Sequence, residues 1–412
     1  MNPADIARNR ALGAGTIGDP YPRYDELRLS GPVHEGAVSQ AFGLEEGPDV
    51  VLWGDRPQFS CYDWQTVDAV LRDPDTYSSE WYQNSLGASI GRTMIQMGGP
   101  EHRRYRALVQ PFFTRKEIEG WRDRWVQPMV DRILDRIVTR GEPVDLFSEL
   151  CGRLPVYTIA SSFGIAAEDV PHFHELAVAQ VGIVGTAEDR QRAAQEIADY
   201  LARVIEQRRK EGGDDLIAVL CRVEIEDPED GSRHRLSDEE ILAFARLMLP
   251  AGAGTTYRGL GCLLVGLLEA GQLGALRADR SLMDAAIEES LRWEQPLTAV
   301  GRVVMRDTEL AGVKIPEGSV VNACLGAANH DPERWSDPHR YDLMREKKPH
   351  SSFGLGPHLC IGMHLARMEM RTALDSILDR LPNLQLDPDV PKPWITGLLF
   401  RMPTAVPVVF DA

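Results

Sequence analysis

The chain has 412 residues, of which 43% are hydrophobic and 26% charged, and this balance excludes a disordered tail, a collagen-like chain and a multi-span membrane protein. Its 62 acidic and 45 basic residues give a formal net charge of -17, so the surface repels phosphate backbones and no nucleic-acid partner is expected. The amino-terminal residues contain neither a signal peptide nor a membrane anchor. We therefore expect a cytoplasmic protein with one domain over residues 1–412.

Helical patterns dominate the chain from its first third onward. Asp63 is a suitable cap for a helix that runs to about Leu71, before an Asp-Pro turn. Further helical periodicity covers residues 101–109, 115–139 and 362–381.

A long apolar helix is predicted from the capping-box pattern at Ser237 and Glu240 to about Leu268. At 1.5 Å per residue it would be roughly 45–50 Å long, and its mostly apolar faces predict a central, buried position. Its middle, Pro-Ala-Gly-Ala-Gly-Thr-Thr at 250–256, contains a helix breaker and two glycines, which weaken a helix. Such a weak point indicates a function.

The pattern changes to short β-branched runs separated by turns between Thr298 and Leu325, which predicts a small sheet. No alternation of strands and helices supports a doubly wound parallel sheet. The sequence therefore predicts a mainly α protein with small β-sheets, of the α+β class.

One of the six cysteines, Cys360, lies in a loop rich in glycine and proline (350–362) at the start of a predicted helix. Unpaired backbone N–H groups and the helix dipole can stabilise a thiolate there and lower its pKa. A thiolate in an apolar pocket suits a soft metal, and haem iron is one established solution. The alternatives are a buried structural cysteine and a zinc site with His358 and His364, which lacks a fourth ligand.

This loop resembles the haem-binding signature of the cytochrome P450 family, F-x-x-G-x-x-x-C-x-G, at Phe353, Gly356, Cys360 and Gly362. The resemblance extends over essentially the whole chain. It implies the P450 fold, with the long central helix over a haem b whose iron is bound by Cys360 and which Phe353 contacts.

Further motifs occur in the order that this family uses. Glu289 and Arg292 resemble its E-x-x-R pair, and Arg340 resembles the arginine that joins the pair in a buried network behind the haem. The residues that resemble the family's ligands to the haem propionates are His102, Arg106, Arg302 and His350.

The weak point of the central helix resembles the family's oxygen-activation motif, A-G-x-[D/E]-T, beginning at Ala251. The resemblance implies that Thr255 relays protons during oxygen activation, unless its hydroxyl only bonds within its own helix. Gly254 stands where the family has an acid, so water, Thr256 or a polar group of the substrate would complete the proton route.

The substrate pocket implied by the resemblance is apolar and favours a hydrophobic small molecule. Its expected residues are Trp81, Tyr82, Met94, Val181, Ala251, Leu297, Val300, Ile395 and Leu398.

The resemblance implies a monooxygenase that inserts one oxygen atom from O2 into this substrate. No flavin or iron–sulfur domain is visible, so a ferredoxin and its reductase would supply electrons, and a patch of basic residues would attract the acidic ferredoxin. The residues of this patch are Arg103, Arg104, Arg115, Lys116, Lys347, Lys348 and Arg367. The alternatives are a peroxide-driven or non-oxygenating haem-thiolate enzyme and a non-catalytic haem sensor.

Overall fold

Helices form most of the protein, and the computed structural model describes residues 17–45, 47–84, 90–141, 143–181, 187–226 and 231–411. The α-helices of this part of the chain are α1 (Tyr21–Ser30), α2 (Pro48–Trp53), α3 (Trp64–Arg72), α4 (Gly99–Val109), α5 (Arg115–Trp121), α6 (Gln127–Arg140), α7 (Leu154–Ser162), α8 (Val170–Val181), α9 (Ala187–Glu211), α10 (Leu216–Arg222), α11 (Asp238–Met248), α12 (Gly254–Glu269), α13 (Leu273–Ala278), α14 (Met283–Trp293), α15 (Leu325–Ala328) and α16 (Met363–Arg380).

The strands are short. They are β1 (Val33–Glu35), β2 (Gln58–Cys61), β3 (Tyr77–Ser78), β4 (Val144–Asp145), β5 (Glu224–Glu226), β6 (Arg233–Arg235), β7 (Val300–Val304), β8 (Thr308–Leu310), β9 (Val313–Ile315), β10 (Val320–Ala323), β11 (Gln385–Leu386), β12 (Ile395–Thr396), β13 (Met402–Pro403) and β14 (Pro407–Val409). The predicted α+β class with small sheets is confirmed.

The main sheet has the strand order β1-β2-β10-β7-β3, in which β2 and β10 are parallel and the other pairs antiparallel. The sheet predicted between Thr298 and Leu325 is therefore present, but it also includes three strands from the first 80 residues. All four residues of β2 are buried, so this strand lacks the polar and apolar alternation by which a strand is recognised in a sequence.

The predicted helix starts follow from side-chain caps. The Asp63 carboxylate accepts a hydrogen bond from the Thr66 N–H at 2.8 Å and begins α3. Ser237 and Glu240 form the reciprocal capping box that begins α11. Each cap satisfies backbone N–H groups that have no partner within the helix.

The long central helix is confirmed, as α11 and α12 joined by a π-helical turn over Leu249–Ala253. Pro250, which has no backbone N–H, lies in this turn, where the regular series of α-helical hydrogen bonds is interrupted. The same device joins α5 and α6 through Arg122–Val126. The weak point in the sequence is thus a local widening of a continuous helix.

The central helix contributes to two hydrophobic cores. Leu260 and Leu263 of α12 pack in the larger core with Leu374 of α16, and Phe244 of α11 packs in the second. A Cβ atom at Gly259 would lie 3.9 Å from Met370 Cε, so α16 passes close to the central helix. Among the described residues, no helix combines the length and hydropathy needed to cross a lipid bilayer.

Candidate active site

The loop before α16 folds tightly because two glycines adopt left-handed backbone conformations. Gly354 has φ of 70° and Gly356 has φ of 69°, and a Cβ atom at Gly356 would lie 2.2 Å from the carbonyl oxygen of Leu71. The Cys360 N–H donates to the Phe353 carbonyl at 2.8 Å and closes the loop. Only glycine fits at Gly356, since both its φ and its surroundings exclude a side chain.

Cys360 is exposed, whereas the other five cysteines are buried. Desolvation by neighbouring protein atoms raises the pKa of its thiol above the ordinary value. The Gly362 N–H and the guanidinium groups of Arg106 and Arg367 act in the opposite direction. A bound metal ion would favour the thiolate further.

Four cationic or hydrogen-bond-donating side chains from three regions of the chain meet beside this loop: His102, Arg106, Arg302 and His358. The His102 and His358 ring centroids are 4.3 Å apart, and Arg106 Nη1 donates to the Pro357 carbonyl at 3.0 Å. Burial, with Arg302, His102 and Arg106 nearby, lowers the pKa of His358 to about 3. All four side chains can donate hydrogen bonds, and two of them are guanidinium cations.

The cluster suits a carboxylate ligand. The His102 Nε2 atom is buried with no hydrogen-bond partner, and burial, followed by Arg106 and Arg103, lowers its pKa. No carboxylate of the described residues forms an ion pair with Arg106 or Arg302. Guanidinium and imidazole groups around an unpaired nitrogen form a site for a bound anion, which is the chemistry that haem propionates require.

His350 does not lie in this cluster, which corrects the sequence prediction. Its Nε2 atom is 3.2 Å from the Glu288 carboxylate, which also accepts two hydrogen bonds from Arg367 at 2.6 and 2.7 Å. The histidine of the cluster is instead His358, two residues before Cys360. The sequence indicated His358 only as a candidate zinc ligand, although its position in the glycine loop could have marked it.

The pair Glu289 and Arg292 forms a buried, two-pronged ion pair with both N–O distances at 2.8 Å. The third member is Arg345, whose Nε lies 2.9 Å from Glu289 Oε1, and not Arg340. The Arg340 side chain is 64% exposed and pairs with Asp342, while its backbone carbonyl accepts from both Arg292 and Arg345. The predicted segment does join the network, but its side chain there is Arg345 and not the predicted Arg340.

A second buried ion pair was not visible in the sequence. Arg401 and Glu294 form two hydrogen bonds of 2.6 and 2.7 Å, and the Tyr21 hydroxyl donates to the same carboxylate at 2.9 Å. Arg401 also donates to the backbone carbonyls of Gly18 and Gly397. The network attaches the β12–β13 hairpin to the end of α14.

On the central helix, the Thr255 hydroxyl donates to the Ala251 carbonyl at 2.8 Å, and Ala251 is exposed although it lies in the middle of the helix. Thr256 is buried, and Gly254 is contacted by the side chain of Arg258. Phe400, on the β12–β13 hairpin, is 49% exposed and pairs with Leu297. We call the region around the exposed Ala251, the partly exposed Thr255 and Phe400 the cleft.

The predicted pocket residues are divided between several places. Met94 is buried in a core with residues of α11, Val300 is partly buried in the main sheet, and Leu297 lies opposite Phe400. Ile395 and Leu398 are buried in two different hydrophobic clusters, while Phe400 of the same hairpin is 49% exposed. The assignment of Ile395 and Leu398 to the pocket stays a prediction.

Trp81 and Tyr82, also predicted to line the pocket, contact residues of the main sheet and of its neighbouring segments. Trp81 lies under the guanidinium of Arg56, whose Cζ is 3.8 Å from its ring centroid. Tyr82 packs on Trp53 and its hydroxyl accepts from the Gly301 N–H at 3.2 Å. The Val181 side chain lies outside the described residues.

In the described ranges, no three His, Cys, Asp or Glu side chains come together in a group that could hold a zinc ion. An exposed thiol beside a carboxylate-binding cluster and an accessible central helix instead suits haem, which needs one axial ligand and partners for two propionates.

The chain is similar to known proteins over most of its length. The model of the family described as Cytochrome P450 matches residues 275–405. The cytochrome P450 monooxygenase PikC of Streptomyces venezuelae is 36% identical over 402 residues, which cover 94% of this chain and 91% of that protein. The 6-deoxyerythronolide B hydroxylase of Saccharopolyspora erythraea is 35% identical over 317 residues, 76% of each chain. The crystal structure of CYP109E1 from Bacillus megaterium with testosterone is similar at a TM-score of 0.81 and 28% identity, over 96% of this chain and 100% of that one.

Proposed function

This chain belongs to the cytochrome P450 family and is a haem-binding monooxygenase, and we propose that Cys360 is its axial iron ligand. The observation that supports this assignment is the contrast between one exposed cysteine, at the head of α16, and five buried ones. The bound haem supplies the activation of O2, and a thiolate ligand favours cleavage of the O–O bond. The protein then determines which molecule approaches the haem.

The donor cluster would hold the propionates. We assign this role to His102, Arg106, Arg302 and His358, because they lie together, His102 Nε2 has no hydrogen-bond partner, and guanidinium groups suit a carboxylate. Phe353, whose ring centroid lies 4.4 Å from the Arg367 guanidinium carbon and whose carbonyl accepts from the Cys360 N–H, would contact the haem.

Thr255 would hold and pass on protons at the widened turn of the central helix. Its hydroxyl reaches the Ala251 carbonyl at 2.8 Å in the widened turn, and the helix at this point is accessible from the cleft. Because Gly254 carries no acid, water in the cleft would connect Thr255 to bulk solvent. Thr256 is buried and is a less accessible proton carrier.

The substrate would be a small molecule with a large apolar part, since Leu297 and Phe400 border the cleft. Electrons would come from a ferredoxin and its reductase. Arg103, Lys116 and Lys347 are exposed and could attract such an acidic partner. The other four residues of the predicted patch, Arg104, Arg115, Lys348 and Arg367, form ion pairs with Glu240, Glu119, Glu346 and Glu288.

The ligand assignment is tested with Cys360→Ala, with Cys221→Ala as the matched control at a buried cysteine. We expect the reduced carbon-monoxide spectrum of a thiolate-bound haem for the parent protein and for Cys221→Ala, and its loss in Cys360→Ala. A parent-like spectrum in Cys360→Ala would overturn the assignment.

The oxidant is tested by turnover with O2, NAD(P)H and a ferredoxin with its reductase, compared with turnover by hydrogen peroxide alone. We expect more product from the ferredoxin system, and Thr255→Ala should lower product per NAD(P)H by about tenfold, while Thr256→Ala should change it little. Faster product formation with peroxide would favour the peroxide-driven alternative. Haem binding without any product would favour a sensor.

A further inference from the structure

The central helix carries an arginine, Arg258, that the proposed reaction does not use. Its guanidinium folds back by one helical turn and donates to the carbonyl oxygen of Gly254. It also lies over two aromatic rings, with Cζ 4.6 Å from the Tyr257 ring centroid and 5.1 Å from that of Phe400. Because Phe400 borders the cleft and is 49% exposed, Arg258 lies at the wall of the cleft.

No carboxylate of the described residues forms an ion pair with this arginine. The Arg258 Nε atom is buried and has no hydrogen-bond partner. Glu294, which faces the same helix at Cys262, already accepts two hydrogen bonds from Arg401 and one from Tyr21. A partly buried cation without a counter-charge is unfavourable, so this guanidinium has a free capacity for an anion.

Gly254 leaves space beside that charge. A Cβ atom at this position would lie 3.5 Å from Arg258 Nη1, so an acidic side chain here would meet the guanidinium directly. The chain therefore keeps the cation and lacks the carboxylate that could neutralise it from the same helix. An anion from outside the protein would have to supply that charge.

We propose that Arg258 binds the carboxylate of the substrate, so that this enzyme acts on apolar acids. This inference rests on the proposed function, which places the substrate in the cleft. The planar guanidinium presents N–H groups in a fork that matches a carboxylate, and only one of its nitrogens, Nη1, donates to a protein carbonyl. Tyr257 and Phe400 flank the fork and would pack on the apolar part of the molecule next to the carboxylate.

The first experiment compares acids with their neutral esters. Laurate, 4-phenylbutyrate and deoxycholate, each with its methyl ester, are titrated into the ferric holoenzyme, and binding is followed by the shift of the haem Soret band. We expect at least one acid to bind with a Kd about tenfold below that of its ester, the gain expected from a charge-assisted hydrogen bond. Arg258→Gln should abolish this difference and Arg258→Lys should retain part of it.

The control is Arg132→Gln, which removes the same charge from an exposed position on α6. It should leave the preference for the acid unchanged. Equal or tighter binding of every ester, or a preference for the acid that persists in Arg258→Gln, would overturn the proposal.

A second experiment needs no substrate. Gly254→Glu supplies a carboxylate from the helix itself, and Gly254→Gln is its neutral control. With Arg258 present, we expect Gly254→Glu to be more stable to unfolding than Gly254→Gln. In the Arg258→Gln background this difference should vanish. Gly254→Glu should also lose the preference for acids. If no probe shifts the Soret band, the stabilities of these variants decide. The proposal is overturned if the stability difference between Gly254→Glu and Gly254→Gln is the same with and without Arg258. A normal carbon-monoxide spectrum alongside such a result would leave the proposed function standing.

Discussion

Arg345 Nε lies 2.9 Å from Glu289 Oε1, and the two side chains are only 8% and 4% exposed. Glu289 also accepts two hydrogen bonds from Arg292 and one from the backbone N–H of Asp342. One carboxylate thus connects α14 to the irregular segment that leads into the cysteine loop. Because the carboxylate is buried, each of its donors matters for stability.

Replacing Arg345 by alanine should therefore destabilise the protein far more than replacing Arg340. We expect Arg345→Ala to lower the free energy of unfolding by about 3 kcal/mol, since it leaves the buried Glu289 charge incompletely paired. The exposed Arg340 pairs only with Asp342, and an exposed ion pair contributes less than about 1 kcal/mol. Urea unfolding of the two holoenzyme variants measures both values, and equal losses would contradict the assignment of Arg345 to this network.

Two glycines of the cysteine loop offer a matched pair for testing its packing. Gly354 and Gly356 have almost the same positive φ, so alanine at either should cost about 1 kcal/mol in backbone strain. A Cβ atom at Gly356 would also lie 2.2 Å from the Leu71 carbonyl oxygen, whereas at Gly354 the nearest such atom is 3.8 Å away. We expect Gly356→Ala to retain little haem and Gly354→Ala to retain most of it, as measured by the ratio of Soret to protein absorbance. Similar haem contents would show that the loop can move away from Leu71.

His358 and His350 are distinguished by the rate at which haem leaves the protein. His358→Leu removes a donor from the cluster with His102, and we expect haem transfer to apomyoglobin to become about tenfold faster, because one hydrogen bond to a charged group is lost. His350→Leu removes a contact to Glu288 and should change that rate much less. The opposite order would restore His350 as the propionate ligand.

Sequence reasoning succeeded where the signal is local. The capping box at Ser237 and Glu240 and the glycine spacing before Cys360 are both short patterns whose geometry depends on neighbouring residues. The weak centre of the long helix was visible for the same reason, since Pro250 and two glycines break a helical pattern wherever they occur. These patterns were enough to predict the fold class and the cysteine loop.

The errors concern side chains whose direction is set by distant parts of the chain. Arg340 and Arg345 lie five residues apart in a segment without regular structure, so no periodicity shows which of them turns inward. The pair Glu294 and Arg401 is separated by 107 residues and has no spacing rule. Leu398 is buried and Phe400 is 49% exposed although both are apolar residues of one hairpin, so apolar character alone does not show which of them is accessible.

Glu369, on α16, gives the protein a predictable dependence on pH. Burial raises its pKa from 4.5 to about 8, although a hydrogen bond with Thr158 acts in the opposite direction, and Oε1 has no hydrogen-bond partner. Between pH 4.5 and 8 the native state keeps this proton and the unfolded state loses it. The contribution of Glu369 to stability therefore falls as the pH rises through this window, by up to about 1.4 kcal/mol per pH unit.

Glu369→Gln should remove this slope, so that the variant gains stability over the parent as the pH rises from 5 to 8. Glu288→Gln is the control, since burial raises the Glu288 pKa but hydrogen bonds from Arg367 and His350 outweigh this and lower it to about 2. Glu288 is ionised in both states above pH 4.5, and its stabilisation disappears only as the pH falls towards 2, so titration of Glu288 itself adds no slope between pH 5 and 8. Urea unfolding at four pH values in this range measures both trends. A parent protein and a Glu369→Gln variant with parallel pH profiles would show that Glu369 is already ionised in the native state.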